Sequence, residues 1–241
     1  MRNIGPNHGL PDMRIEEVLR FALGALRASS SVFYWIDETL EMQSAQVSGA
    51  CEESFHLYEG GMNSCDPLNV RRLVTSGKRV ATLDADHGLA PAAEYARYCS
   101  YLRDSRISDV LDFVFWHGDF AFAGLGIIKT TEDPPFCAEA LSFAASMQPY
   151  IEFNLFSHPR LRHQRLTRQL SAAYGLTRRE IEVTKLVRQG CTNHDVADEL
   201  GIALTTVKTH LMRLFDKLGV ENRTSLVSRI NQMEGEHLAA A

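Results

Sequence analysis

Near the C-terminus of this 241-residue chain, helix-start and helix-stop signals follow one another closely enough to dictate a local fold. Thr177 followed by Glu180 makes a capping box, in which the hydroxyl and the carboxylate each satisfy a backbone N–H that the first turn leaves open. Ile181, Leu186 and Val187 give that helix a buried stripe, and Gly190 ends it. Thr192 or Asn193 caps a second helix, with Val196, Ala197 and Leu200 toward the core. Gly201 supplies the left-handed backbone that a sharp turn between helices needs. A third helix is predicted over 204–218, where Val207, Leu211, Leu214 and Leu218 fall within about 60° of one another on the helical wheel. This is the pattern of a helix-turn-helix.

Opposite the seam lie Thr205, Thr209, Met212 and Asp216, flanked by Lys208 and Arg213, with Asp216 a full turn beyond the groove-facing half. A helix-turn-helix inserts the N-terminal half of its second helix into the DNA major groove. Lys208 there can donate to guanine O6 and N7, while apolar atoms of Thr209 and Met212 can meet thymine methyls. Charge supports a nucleic-acid partner. The chain carries a net −5, yet residues 160–230 hold 13 Lys and Arg against 7 Asp and Glu. The remainder holds 12 against 23. A basic module joined to an acidic one is expected when only one end meets phosphate.

The stretch LTRREIEVTKLVRQGCTNHDVADELGIALTTVKTHLMRLFDKLGVENRTSL (176–226) resembles the LuxR-type helix-turn-helix. The likeness rests on the L-T-x-R-E opening, T-N at the second cap, T-V-K-x-H in the third helix, K-L-G-V, and Arg223-Thr224. It implies a four-helix module over 176–235, with the last helix, from about 223 to 230, often serving dimerisation. It also implies phosphate contacts at Thr192, Asn193, Thr206, Arg213 and Lys217. Two positions depart from the family pattern: Ala203 where Ser is usual, and His194 where Lys is usual.

Residues 1–160 read as an α+β domain. A helix is predicted over 12–28, started by Asp12 and carrying Ile15, Val18, Leu19, Ala22 and Leu26 on one side. SVFYWID and EMQSAQVS form a strand pair, 66–76 and 90–104 are helices, and 78–84 is a strand. Within 109–130, two aromatic and β-branched runs flank Gly118-Asp119, a tight-hairpin signal. A long helix opens at Pro134-Pro135 with Phe136, Leu141, Ala144 and Ala145 on its apolar side, and Pro149 should kink or break it. The stretch 161–175 is basic, poor in large apolar residues, and reads as a linker, with a partly helical form left open. Helices packed against one antiparallel sheet give an α-β-α sandwich.

The elements Tyr101-Leu102-x-Asp104, Ile107-x-Asp109, Ala123-Gly124-Leu125-Gly126 and Pro135-Phe136 with Glu139 resemble GAF-like sensory domains. Asp66-Pro67 is also similar to the autoinducer-binding domain. That domain's Tyr and Trp positions hold Leu57 and Glu53 here, and a further Trp position falls near Ala81, so an acyl-homoserine lactone is not the expected ligand. The resemblance implies a small-molecule effector, for which Tyr34, Phe55, Tyr58, Asp66, Phe113, Phe115 and Trp116 are the candidate lining. Strand alternation puts Phe113 and Phe115 on one face and Trp116 on the other, so at most one set lines a pocket.

Several classes are excluded. The acidic pair and phosphoacceptor of a receiver domain are missing, as are G-x-S-x-G and H-E-x-x-H. His87, His117 and Glu94 lack ligand spacing, and Cys51, Cys65, Cys99, Cys137 and Cys191 form no Cys-x-x-Cys pair. No metal or cofactor is expected. With no apolar run of membrane length and no secretory leader, the expected compartment is the cytoplasm. The expected partners are double-stranded DNA, a second copy of the chain, a small-molecule effector and RNA polymerase, with no membrane. Two alternatives stay open: an N-terminal domain that only dimerises or binds a partner protein, and an antagonist that binds protein rather than DNA.

Overall fold

A computed structural model describes residues 2–4, 12–49 and 52–239; Cys51 lies outside them. The chain divides into two compact units, Met1–Leu155 and Phe156–Ala241.

The first unit is built on one antiparallel sheet of six strands: β1 (Arg2–Ile4), β2 (Ser30–Ile36), β3 (Met42–Ser48), β4 (Val80–Thr82), β5 (Ile107–His117) and β6 (Phe120–Thr130). Their order across the sheet is β1-β3-β2-β6-β5-β4. The expected hairpin joins β5 to β6, and Gly118 at its tip has φ +58°. One face is covered by α1 (Met13–Leu26), capped as expected by Asp12, and by α6 (Ala138–Leu155). The other carries α2 (Glu52–Glu59), α3 (Val70–Ser76), the short α4 (Leu83–Asp86) and α5 (Ala92–Asp104). Helices on both faces explain why β5 and β6 are apolar runs rather than strict alternations.

Register sorts the strands' side chains. Tyr34 lies opposite Gly124, Val32 opposite Gly126, and Asp112 opposite Gly126 from the other side, so all share one face. Phe33, Trp35, Phe113, Phe115 and Phe122 are buried among the residues of the other face, in ring contacts between 5.4 and 6.4 Å. Burying each such ring stabilises by about 1.5–3 kcal/mol. Beside Tyr34 the β2–β3 register slips by one residue, a bulge.

Three local readings shift. The helix expected over 66–76 starts only at Val70, because Asp66 and Pro67 form a turn in which the Asp66 carboxylate accepts from Leu68 N at 2.8 Å. The helix expected at Pro134-Pro135 begins at Ala138, and its buried stripe is Ala144, Met147, Gln148, Ile151, Glu152 and Leu155, with Ala145 exposed. It also runs through Pro149 unbroken. Pro149 faces outward, while its inner side is tied to the sheet: Gln148 donates to the Val114 carbonyl at 2.9 Å, and Glu152 accepts from Arg79 and from Trp116 N.

The second unit comprises α7 (Pro159–Tyr174), α8 (Arg178–Arg188), α9 (Asn193–Leu200), α10 (Leu204–Leu218) and α11 (Arg223–Ala239). The segment read as a linker is therefore helical. Leu166 and Leu170 sit in one core with Leu176, Val183, Val187, Val196, Val207, Leu211, Leu214 and Leu218. Leu161, Leu166 and Leu170 are the buried residues of this helix, although the segment's other side chains are mostly polar or charged.

Candidate functional site

The helix-turn-helix is assembled by its caps. Thr177 and Glu180 bond reciprocally, and Thr192 does the same with Asp195, so Thr192 rather than Asn193 caps α9. Gly201 closes α9 at φ +60°, which sets the turn into α10. Ala203 occupies the cap of α10 and offers no side-chain bond, as its side chain dictates.

On α10 the four seam residues are buried, and Thr205, Thr206, Lys208, Thr209, Met212 and Arg213 are exposed. Met212 is 66 % exposed, an unusual position for a large apolar side chain in a folded core-forming helix. Thr209 Oγ1 bonds back to the Thr205 carbonyl at 3.0 Å. Lys208 and Arg213 make no ion pair among the described residues, so their charges are turned outward. Thr192 and Asn193 stand together at the start of α9, where the helix dipole favours an anion and the Asp195 carboxylate already accepts from Thr192 N.

Lys217 does not belong with them. Its Nζ donates to Glu180 Oε2 and to the Gly175 carbonyl, both at 2.7 Å, while Glu180 is only 2 % exposed. Burial pushes the Glu180 carboxyl up, but the Lys217 bond and the Thr177 bonds outweigh it and hold the group below its usual range. Lys217 is thus an internal clamp between α10 and the start of α8. Arg223 is another such clamp, donating to the Val187 carbonyl near the end of α8 and to the Cys191 carbonyl in the turn that follows.

In the first unit a cavity that opens to solvent lies between the sheet and the helices α2 and α5. Of the sequence candidates, Tyr34, Phe55, Tyr58 and Asp66 line it. Phe113 and Phe115 do not: strand alternation sends them to the opposite face, where both are fully buried. Trp116 shares the cavity side but lies past a register shift after Phe115, with its indole donating to the Lys78 carbonyl, and it too stays off the lining. Sequence reasoning missed Tyr98, Tyr101 and Asp112, which the fold brings in. The one signal for Asp112 was an acid in the middle of the apolar run Val110–Trp116.

Tyr58 donates to Asp66 Oδ2 at 2.8 Å, and Tyr34 donates to Asp112. The rings of Phe55, Tyr58, Tyr101 and Tyr98 follow one another at centroid distances of 5.7–6.3 Å. A Cβ on Gly124 would come within 2.3 Å of the Tyr34 ring, so only glycine leaves room for that phenol across the sheet. Burial raises the Asp66 carboxyl to about 6, despite opposing bonds from Tyr58 and Leu68. Burial, then repulsion from Asp66, drives Asp112 well above the usual carboxyl range. Burial likewise holds the Tyr34, Tyr58 and Tyr98 phenols protonated. Among the described residues, no cluster of His, Cys, Asp and Glu suits a metal ion, and no helix is long and apolar enough to cross a membrane.

The fold of the second unit is that of a helix-turn-helix domain. Residues 175–230 match the family described as bacterial regulatory proteins, luxR family. The C-terminal unit thus carries a domain of the luxR type, which spans less than a quarter of the chain. The monoamine regulon transcriptional regulator of Klebsiella aerogenes is 26% identical to it over 201 residues, which is 83% of each chain. The HTH-type transcriptional regulator MalT of Klebsiella pneumoniae is 35% identical over 91 residues, 38% of this chain and 9% of MalT. Among solved structures, Escherichia coli SdiA aligns with 91% of this chain and 90% of its own at 15% identity, with a TM-score of 0.42.

Proposed function

We propose that the protein is a cytoplasmic, homodimeric regulator that reads a specific DNA sequence with α10 and whose N-terminal cavity binds a small molecule that controls the reading. The observation that carries this is the outer face of α10, where Lys208, Thr209 and Met212 are exposed and Lys208 has no internal partner among the described residues. Thr205, Thr206 and Arg213 flank them, and Thr192 and Asn193 at the start of α9 supply phosphate contacts. A dimer follows from the economy of helix-turn-helix recognition, in which two half-sites match two recognition helices. RNA polymerase is the further partner of a regulator that acts on transcription. For a ligand to control binding, it must prefer one of the DNA-competent and DNA-incompetent states.

Quantitative gel shifts on selected genomic fragments test the reading. Wild-type protein should bind with an affinity that falls steeply as salt rises. Lys208→Ala should cost about 1–3 kcal/mol at the cognate site and relax the preference at one base pair. Equal weakening on every sequence would make Lys208 a phosphate contact. Absence of any salt-dependent binding by the wild type would overturn the DNA-reading role and favour a protein-binding antagonist.

A further inference from the structure

The N-terminal cavity has a chemistry that selects among ligand classes. Its lining holds two carboxyl groups, Asp66 and Asp112, and four phenols, with no Lys, Arg or His among the described residues that line it. Arg72 is not on the lining; it donates to the Asp66 main-chain carbonyl and to the Glu94 carboxylate, and its charge favours the ionised form of Asp66, leaving Asp112 as the acid without a cation beside it. An anionic ligand would meet two acids and no counter-charge. The two acids are not equally served. Asp66 accepts from Tyr58 and from Leu68 N. Asp112 is 6 % exposed and, among the described residues, has Tyr34 as its single hydrogen-bond donor. When ionised, a carboxylate offers about four acceptor positions, and with Tyr34 on one of them a bound cation would both supply the missing donors and favour that ionised form.

Its placement is also specific. Asp112 lies in the central sheet opposite Gly126, whose missing side chain leaves the carboxylate its space: a Cβ there would stand 3.2 Å from Asp112 Oδ1. The aromatic faces of Tyr34, Tyr58 and Tyr98 surround the same space, and apolar side chains such as Val32, Leu68 and Ile128 complete it. Donors for Asp112, one positive charge for two acids, and aromatic faces for a cation are what a single group, a primary ammonium, provides.

We infer that the cavity binds a primary organic ammonium, with its N–H groups on Asp112 and its apolar body between the tyrosines and the aliphatic wall. The inference rests on the reading of the first unit as a ligand-binding unit, and it adds the ligand's charge and donor pattern.

Calorimetry on the full chain tests it with phenethylamine and hexylamine, each against its uncharged alcohol, together with 3-phenylpropionate and N-hexyl acetamide. The amines should bind at least tenfold more tightly than their alcohols, and the carboxylate should not bind. Asp112→Asn, which keeps an acceptor for Tyr34, should erase the preference for amine over alcohol without weakening the alcohol. Asp66→Asn removes the other charge and should reduce the same preference, and thermal unfolding verifies that each variant is folded. Alcohols or the amide binding as tightly as the amines would overturn the inference. If the amide also shifted DNA affinity, ligand control would stand and only the ligand class would fall. Amine binding with unchanged DNA affinity would keep the class and sink the control. If no probe bound, both would fall.

Discussion

The two faces of the N-terminal sheet come from the same strands, and adjacent residues serve opposite ends. Phe113 and Phe115 point to a face filled by rings and by α1 and α6, with no exposure at either residue. Asp112, one residue away, points to a face left hollow and lined by acids and phenols. The same division recurs on α10, where Lys217 is locked to Glu180 while Lys208, about two and a half turns earlier, is turned outward. Residues that hold the fold and residues that are free to recognise something differ here by what they touch, not by residue type.

Unfolding in urea should separate the two faces most sharply. Phe113→Ala should lose about 3–5 kcal/mol, since it removes a fully buried ring. Asp112→Asn should be neutral or stabilising at pH 7, because it relieves a carboxyl held in a site that penalises its charge. A comparable loss in both variants would mean that the hollow face is structural too.

The second expected effect concerns pH. Asp66 holds its proton to about pH 6 in the folded protein, against 3.8 for the ordinary side chain. The folded state thus binds more protons than the unfolded chain between these values. The resulting stabilisation is fully present below about pH 4 and is lost as pH rises through 6, a change of about 3 kcal/mol. The groups facing Asp66 are Tyr58 on α2, Arg72 on α3, Tyr98 on α5 and Asp112 on β5. Asp112 is shifted in the same direction and adds to the slope. Asp66→Asn should therefore flatten, without abolishing, the fall in stability measured from pH 4 to 7.5. An unchanged slope would count against a buried, protonated Asp66.

The smallest effect sharpens the comparison along α10. Lys217→Ala should cost about 1–3 kcal/mol of stability in the second unit by leaving Glu180 buried without its cation, and the salt dependence of DNA binding should not change. A shallower salt slope in Lys217→Ala would return Lys217 to the phosphate-contacting set.

Legibility in the sequence followed the range of the interactions. The helix-turn-helix was readable because its determinants are local: Thr177 with Glu180, the turn at Gly201, and seam residues three or four apart. Lys217 escaped because its partners lie 37 and 42 residues away. The α7 helix was hidden by a basic surface around a few leucines. In the first unit the hairpin and α1 were evident for the same local reasons, and Asp66-Pro67 flagged one wall of the cavity. The other wall exists only through strand pairing. Asp112 meets Gly126, and Tyr34 meets Gly124, across register that no short window reveals. Alternation correctly separated Phe113 and Phe115 from Trp116, but it could not say which face would be filled.

The glycine beneath Tyr34 bears on how this cavity can change. Because a Cβ at Gly124 would fall 2.3 Å from the Tyr34 ring, the two positions are coupled. Tyr34 can shrink while Gly124 stays, whereas a side chain at 124 requires the ring to move or shrink. Retuning the protein to a new effector through position 124, in the laboratory or by natural drift, therefore also disturbs the Tyr34 hydroxyl and its hold on Asp112.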